Sequence, residues 1–299
     1  MYPQYPYLGM EKRCKAVPVT FPPQHQTRQP GMEYLLRPRP ISEDPKLSGS
    51  GKLRNKAAII TGGDSGIGRA VAYAFAKEGA DIAIAYLDEQ RDAEETQERI
   101  NRIGQRCILV PGDLCNECQS YRVVKETMEA FGRLDILVNN HGVQFPQTSI
   151  LDISAEQLDA TFRTNIFGFF YMIKAALPHM CPYSSIINTT SVTAYQGQKY
   201  LIDYSATKGA IVSLTRSLSL SLVSENIRVN AVAPGPIWTP LNPSSYPPEY
   251  IKNFGANTPM ERAGQPFEVA PTYVYLASDD SRYVSGQVLH VNGGTITDS

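Results

Sequence analysis

The chain has 299 residues, enough for one large domain or two ordinary ones, with 42% hydrophobic and 19% charged residues, as expected of a globular protein with a sizeable core. A formal net charge of −1 gives no global electrostatic case for nucleic acid or an anionic membrane. No segment approaches the ~20 apolar residues of a membrane span, and no apolar run with a small-residue cleavage site marks a signal peptide.

In chain order, residues 1–52 come first and differ from the rest. They are rich in proline ("FPPQHQTRQPG", "RPRPISEDP"), end in "SGSGK" and show little periodicity, which predicts an extended or partly disordered arm. Residues 53–299 read as a single domain in which apolar runs alternate with helix-period segments. The strand candidates are "KAAIITGG", "ADIAIAYL", "RCILVPGD", "LDILVNN", "SSIINTTS", "IRVNAVAPG" and "GQVLHVNGG". Between them lie helical stretches such as "IGRAVAYAFAKEG", "AEETQERINRIG", "YRVVKETMEAFG" and "AIVSLTRSLSLSLVSEN". Ser154 and Gln157 in "SAEQL" are spaced as a capping box. Apolar strands separated by helices predict an α/β fold, a doubly wound parallel sheet of seven strands. Ligands of such sheets sit at the carboxyl ends of the strands.

The loops after the strands therefore hold the candidates. After the first, "TGGDSGIGRA" offers Gly62, Asp64, Ser65, Gly66, Ile67 and Gly68, where glycines let the backbone approach a pyrophosphate at a helix N-terminus. After the third, Asp113 beside Leu114 is either an acceptor for an adenine amino group or an ordinary turn aspartate. Asn139 and Asn140 after the fourth either brace strand ends or touch a ribose. Ser191 follows the fifth, and "APGPIWTP" after the sixth forms a rigid loop, in which Trp238 either walls a pocket or packs. In "YSATKGA", Tyr204 and Lys208 share one helix face; a nearby ammonium would lower the phenol's usual value near ~10. That spacing alone is weak evidence. Of the five cysteines (Cys14, Cys107, Cys115, Cys118, Cys181), Cys115 and Cys118 form a C-x-x-C with no second half, so no metal site is expected. The odd count suggests reduced thiols in a cytoplasm.

Taken together, Thr61 to Gly68, Asn139 to Gly142, Asn165, Ser191, Tyr204 with Lys208, and Pro234 with Gly235 resemble the short-chain dehydrogenase/reductase family over about residues 53–295. The sequence is most similar to the branch of bacterial general stress dehydrogenases and plant glucose/ribitol dehydrogenase-like proteins, which shares "GGDSGIGRAVA" and the proline-rich lead-in. The resemblance implies a Rossmann-type domain that moves hydride between NAD or NADP and a carbonyl or secondary alcohol. Tyr204 would be the acid/base and Ser191 would position the substrate oxygen. Lys208 would hold ribose and lower the tyrosine pKa, and Asn165 would anchor a relay water. The cofactor would lie along the glycine loop and also meet Tyr86, Leu87, Asp88, Asp113, Leu114, Asn140, Gly142, Pro234, Gly235, Ile237 and Thr239. NAD is expected over NADP. Ser65 and Leu87 stand where NADP-preferring relatives carry Arg or Lys, and Asp88 would repel a phosphate. Tyr86 replaces the usual ribose-gripping aspartate, however, and Arg91 offers a rescue for NADP. His141 departs from the family's alanine, its side chain either narrowing the nicotinamide side of the site or pointing away; His25, His179 and His290 read as structural or surface residues. The family also implies a homotetramer, for which the apolar "IFGFFYMIKAALPHM" is the candidate surface. The contrary reading is a non-catalytic nucleotide sensor or scaffold of the same fold, which would be expected to lose Ser191, Tyr204 or Lys208.

Overall fold

The computed structural model describes residues 18–297, so Cys14 and the start of the arm lie outside the described residues. All seven expected strands form: β1 (Ala57–Thr61), β2 (Asp81–Tyr86), β3 (Cys107–Pro111), β4 (Leu134–Asn139), β5 (Met180–Thr189), β6 (Arg228–Pro234) and β7 (Val288–Val291). They make one parallel sheet in the order β3-β2-β1-β4-β5-β6-β7. The chain reverses its direction of travel at β1 and β4, and that switch point opens a crevice at the strands' carboxyl ends.

Helices α1 (Gly66–Lys77), α2 (Gln90–Ile103), α3 (Glu117–Phe131), α4 (Ala155–Phe162), α5 (Gly168–Ala176), α6 (Thr193–Gln196), α7 (Ile202–Leu222), α8 (Pro248–Ile251) and α9 (Pro266–Ala277) complete the domain. Alternation in the strands splits the core in two. Ile60, Ile82 and Ile84 pack with Val71 and Phe75 of α1 and Tyr273 and Leu276 of α9. Ile59, Ala83 and Leu137 face Val124 of α3, Met172 of α5 and Leu222 of α7. Each such aliphatic side chain contributes roughly 1.5–3 kcal/mol by burial.

Two local readings are refined. Ser154 does cap α4, its Oγ accepting from Gln157 N–H at 3.2 Å. The Gln157 amide does not reach back. Its Nε2 donates instead to Phe145 O (3.1 Å) and Asp203 Oδ2 (2.9 Å), tying α4 to the start of α7. Helix α9 has no counterpart among the helical stretches anticipated. Pro266 and Pro271 obscure it, yet Pro266 sits in the first turn, where no N–H is needed. Glu268 Oε2 takes the Gln265 N–H at 2.8 Å.

The arm has one short turn at Glu33–Leu35 and is bound to the domain at points from His25 to Ser50. Phe21 stacks on Trp238 with ring centroids 3.9 Å apart, and Trp238 Nε1 donates to Pro38 O at 3.0 Å. With Leu36, Tyr246 and Phe254 they form a buried cluster, so Trp238 packs and does not wall the cleft. Further along, Ile41 N–H donates to Gln265 Oε1 (2.9 Å) and Phe267 N–H to Ile41 O (3.1 Å).

Candidate active site

A cleft of about 560 Å³ opens at the switch point. Gly62, Asp64, Ser65, Gly66 and Ile67 line it where β1 turns into α1. Gly68 does not. It lies behind the loop, where a Cβ would sit 1.9 Å from Gly62 O, so only glycine lets strand and helix approach this closely. The α1 N-terminus contributes its partial positive charge to the cleft. One of its free N–H groups is taken from an unexpected quarter: Glu33 of the arm accepts from Gly66 N–H at 2.6 Å. Glu33 and Arg69 are both buried and lie 2.7 Å apart.

At the end of β2, Tyr86 and Leu87 line the cleft, but Asp88 does not. The carboxylate of Asp88 turns outward to Arg28 of the arm, which corrects its assignment to the cofactor. Glu89 lines the cleft in its place. It is 1% exposed, its Oε1 has no hydrogen-bond partner, and Arg28 comes no closer than 4.0 Å to that oxygen. Burial, and then the Glu89 charge, push the Asp64 carboxyl up to about 7. Burial raises Glu89 as well. Arg91 lies 4.1 Å over the Tyr34 ring, away from the cleft.

Beyond β3, Asp113, Leu114 and Cys115 line the cleft. Asp113 Oδ1 accepts from Cys115 N–H at 2.9 Å, and Cys115 Sγ lies 3.3 Å from Thr164 Oγ1. Among the described residues no three His, Cys, Asp or Glu side chains group to hold a metal. After β4 the two asparagines brace strand ends. Asn139 Nδ2 donates to Asn188 Oδ1 (3.0 Å), and Asn140 Nδ2 to Thr61 O (3.2 Å) and Gly62 O (3.3 Å). Asn140 and Gly142 remain in the cleft wall.

His141 is accommodated because residue 168 is glycine: a Cβ there would lie 2.5 Å from His141 Nε2. Its Nδ1 sits 2.7 Å from Thr61 Oγ1, and its ring packs 4.9 Å from that of Phe169. Burial, with the Lys208 charge behind it, pulls the imidazole down to about 3, so it is neutral near pH 7. His25 bonds Tyr246 O at 3.0 Å and His290 packs edge-on to Tyr195, in keeping with structural roles.

Ser191 stands just beyond β5, and Tyr204 and Lys208 face the same cleft from α7. Ser191 Oγ accepts from Thr193 N–H (3.1 Å) and Oγ1–H (3.0 Å). Lys208 Nζ donates to Thr189 O at 3.0 Å and lies 5.4 Å from the Tyr204 ring centre. Burial pushes the Tyr204 phenol up to about 12, against a smaller downward pull from the Ser191 hydroxyl. Burial also brings Lys208 down to about 7. Burial thus dominates the phenol, and the opposing pull comes from Ser191 where the ammonium was expected to act. Asn165 is behind the wall, not in it. It sits in a π-turn (Arg163–Phe167), a wide helical turn frequent at functional sites. Its Oδ1 accepts from Val143 N–H (2.8 Å) and its Nδ2 donates to Val143 O (2.9 Å) and Thr207 Oγ1 (3.1 Å). Pro234, Gly235, Ile237 and Thr239 close the far side.

This lining fits a dinucleotide: glycines leave room beside a helix N-terminus, and Glu89 in the wall has a carboxylate oxygen without a hydrogen-bond partner, able to accept from a hydroxyl. Residues 62–296 match the family model described as enoyl-(acyl carrier protein) reductase. The chain is 51% identical to the glucose and ribitol dehydrogenase of Daucus carota, over 92% of its own length and 97% of that protein's. It is 50% identical to the NADPH-dependent aldehyde reductase 1, chloroplastic, of Arabidopsis thaliana, over 92% and 98%. A short-chain dehydrogenase of Burkholderia cenocepacia, solved in complex with NADP, superposes with a TM-score of 0.77 at 30% identity, over 81% of this chain and 98% of that one.

The chain belongs to the short-chain dehydrogenase/reductase family. It is a nicotinamide-dependent oxidoreductase of carbonyl and alcohol groups. Among the cleft residues that sequence reasoning missed are Glu89, Gln144 and Gln29 to Gly31 of the arm. The quoted "PPQHQTRQPG" was the one available signal, since a lead-in shared with a branch is more than a tail.

Proposed function

We propose that Tyr204 is the general acid/base of this oxidoreductase, Ser191 its substrate-oxygen partner, and Lys208 the residue that holds the nicotinamide ribose. The carrying observation is the convergence of these three side chains in one wall, beside the glycine loop. The bound dinucleotide supplies or accepts the hydride. In reduction the neutral Tyr204 phenol gives its proton to the carbonyl oxygen while Ser191 stabilises the developing charge. In oxidation the phenol must first be deprotonated. Asn165 holds the β4 loop by both main-chain groups of Val143, and the relay water inferred from the family would lie against it. The substrate class follows the named relatives: sugars, polyols or small aldehydes. A screen of purified protein for cofactor fluorescence change across these compounds tests the reading; turnover of none would refute it.

NAD(H) is the favoured cofactor in this proposal, although one relative is NADPH-dependent by name and one neighbour was solved with NADP. What supports NAD is Glu89, whose free oxygen suits a ribose hydroxyl, with Asp64 also in the wall. An ionised carboxylate near a 2′-phosphate would oppose its charge, and about 3 kcal/mol of such repulsion is roughly a hundredfold in affinity. Competitive titration decides: NADPH binding as tightly as NADH overturns the preference. A homotetramer is proposed from the exposed Leu158, Phe167 and Phe170 along α4 and the turn into α5. Light scattering at micromolar concentration that gave a monomer mass would exclude it. We place the protein in the cytoplasm on its reduced cysteines; no helix of the described residues is long and apolar enough to cross a membrane.

A further inference from the structure

The arm crosses the cleft at one pair of residues. Gln29 Nε2 donates to the main-chain oxygen of Gln144 at 2.6 Å, and the main-chain N–H of Gln144 donates back to Gln29 Oε1 at 3.1 Å. Both main-chain groups of Gln144 are therefore fixed by one side chain from a segment 115 residues away. The Gln144 side chain then has little freedom. It is 4% exposed, it lines the cleft, and its Nε2 has no hydrogen-bond partner.

A buried amide donor without a partner is destabilising, and in a cleft wall a ligand acceptor can relieve that cost. Position says which end of the cleft it serves. Gly142, two residues earlier, sits against Asn165 and Lys208. Phe145, the next residue, is held through Gln157 to Asp203, the neighbour of Tyr204. Gln144 thus lies between segments that touch Lys208 and the start of α7, in the part of the cleft wall that adjoins Tyr204. An amide N–H is an uncharged donor, suited to a neutral oxygen and indifferent to alkyl groups.

We propose that Gln144, held in place by Gln29 of the N-terminal arm, is a specificity-determining donor that selects substrates with a hydroxyl or carbonyl oxygen on the carbon next to the reacting one. The proposal rests on the carbonyl-reductase reading above. A site built to hydrogen-bond an oxygen rejects the analogue lacking it, because its polar group is left unpaired. Gln29 acts through Gln144 and is a positioning residue.

The experiment compares glyceraldehyde with propanal, using the full chain at saturating reduced cofactor. Wild type should prefer glyceraldehyde in kcat/KM. Gln144→Leu, which keeps the bulk and deletes the donor, should lower the glyceraldehyde-to-propanal ratio by roughly tenfold to a hundredfold. Gln144→Glu should do the same, since it replaces donor with acceptor. Gln29→Leu should lower the ratio in the same direction by less. Three results would overturn the proposal. One is a wild type with no preference, which needs no variant to fold. Another is an unchanged ratio in both Gln144 variants. The third is a tenfold rise in the cofactor Kd with no change in ratio, which would assign the donor to the cofactor. Turnover of neither aldehyde, nor of any other carbonyl compound, would be a separate failure, that of the underlying reading.

Discussion

Replacing Glu33 with alanine should damage the fold and the cofactor site together. The carboxylate accepts from Gly66 N–H at 2.6 Å, from Arg69 Nη1 at 2.7 Å and from Arg39 Nη2 at 3.3 Å. It is 1% exposed, so water cannot take over these bonds in its absence. Breaking a buried ion pair from one side costs about 3–5 kcal/mol. Arg69 would keep Asp92 at 3.3 Å and Glu95 at 3.2 Å, which puts the cost at the low end, about 3 kcal/mol. For chains of this general size, roughly 2–4 °C of thermal midpoint goes with each kcal/mol, so the expected loss is roughly 6–12 °C.

The functional loss should follow from the loop. With Gly66 N–H unpaired, the turn that presents Ser65 to Ile67 loses the contact that holds it against the arm, and cofactor affinity falls. Glu33→Gln separates the two effects: it keeps an acceptor for Gly66 and removes only the charge beside Arg69. Scanning fluorimetry and cofactor titration on both variants read the outcome. The alanine variant should lose both midpoint and affinity, and the glutamine variant should keep most of its affinity. An alanine variant within about 2 °C of wild type and with unchanged cofactor Kd would show that the arm merely rests on the loop.

Tyr204→Phe should nearly abolish turnover and leave cofactor binding intact; turnover within about tenfold of wild type would remove the acid/base assignment. With the phenol pushed up to about 12, the phenolate fraction rises tenfold per pH unit below that value, so alcohol oxidation should climb with pH from about 7 to 10 while carbonyl reduction stays flat. A flat oxidation profile refutes it. Asp64, pushed up to about 7, is neutral below that pH and charged above it, so NADPH should gain on NADH as pH falls from about 8 to 6. An Asp64→Asn variant should lose that dependence; a ratio unchanged with pH in wild type counts against the acid pair as discriminator.

The sheet could be read from the sequence because its strands are covered on both faces and so appear as uninterrupted apolar runs, as "AAIIT" does in β1. Helix α9 could not, because its two prolines contradict local propensity and it forms on packing against α1. The proposed catalytic set was readable because Tyr204 and Lys208 are local to one helix and Ser191 is local to one strand end. Glu89 was not. Asp88 and Glu89 are adjacent acids just before α2, and nothing in their local pattern says that the first pairs with the arm's Arg28 while the second lines the cleft.

That last case shows where pattern reading stops. A partner some 60 residues upstream, in a segment without periodicity, sets the orientation of Asp88. Glu33 acts across 33 residues on the glycine loop and Gln29 across 115 on Gln144. Proline-rich composition signals an extended backbone, and the backbone here is extended. Extension says nothing about attachment, because the polar side chains of such a segment can bond to water or to a neighbouring domain equally well. Here they are spent on the domain at three points around one cleft: the end of β2, the start of α1 and the loop after β4. An arm fixed in this way belongs to the active site as much as the strands do, and its removal should cost the cofactor site its shape before it costs the sheet its stability.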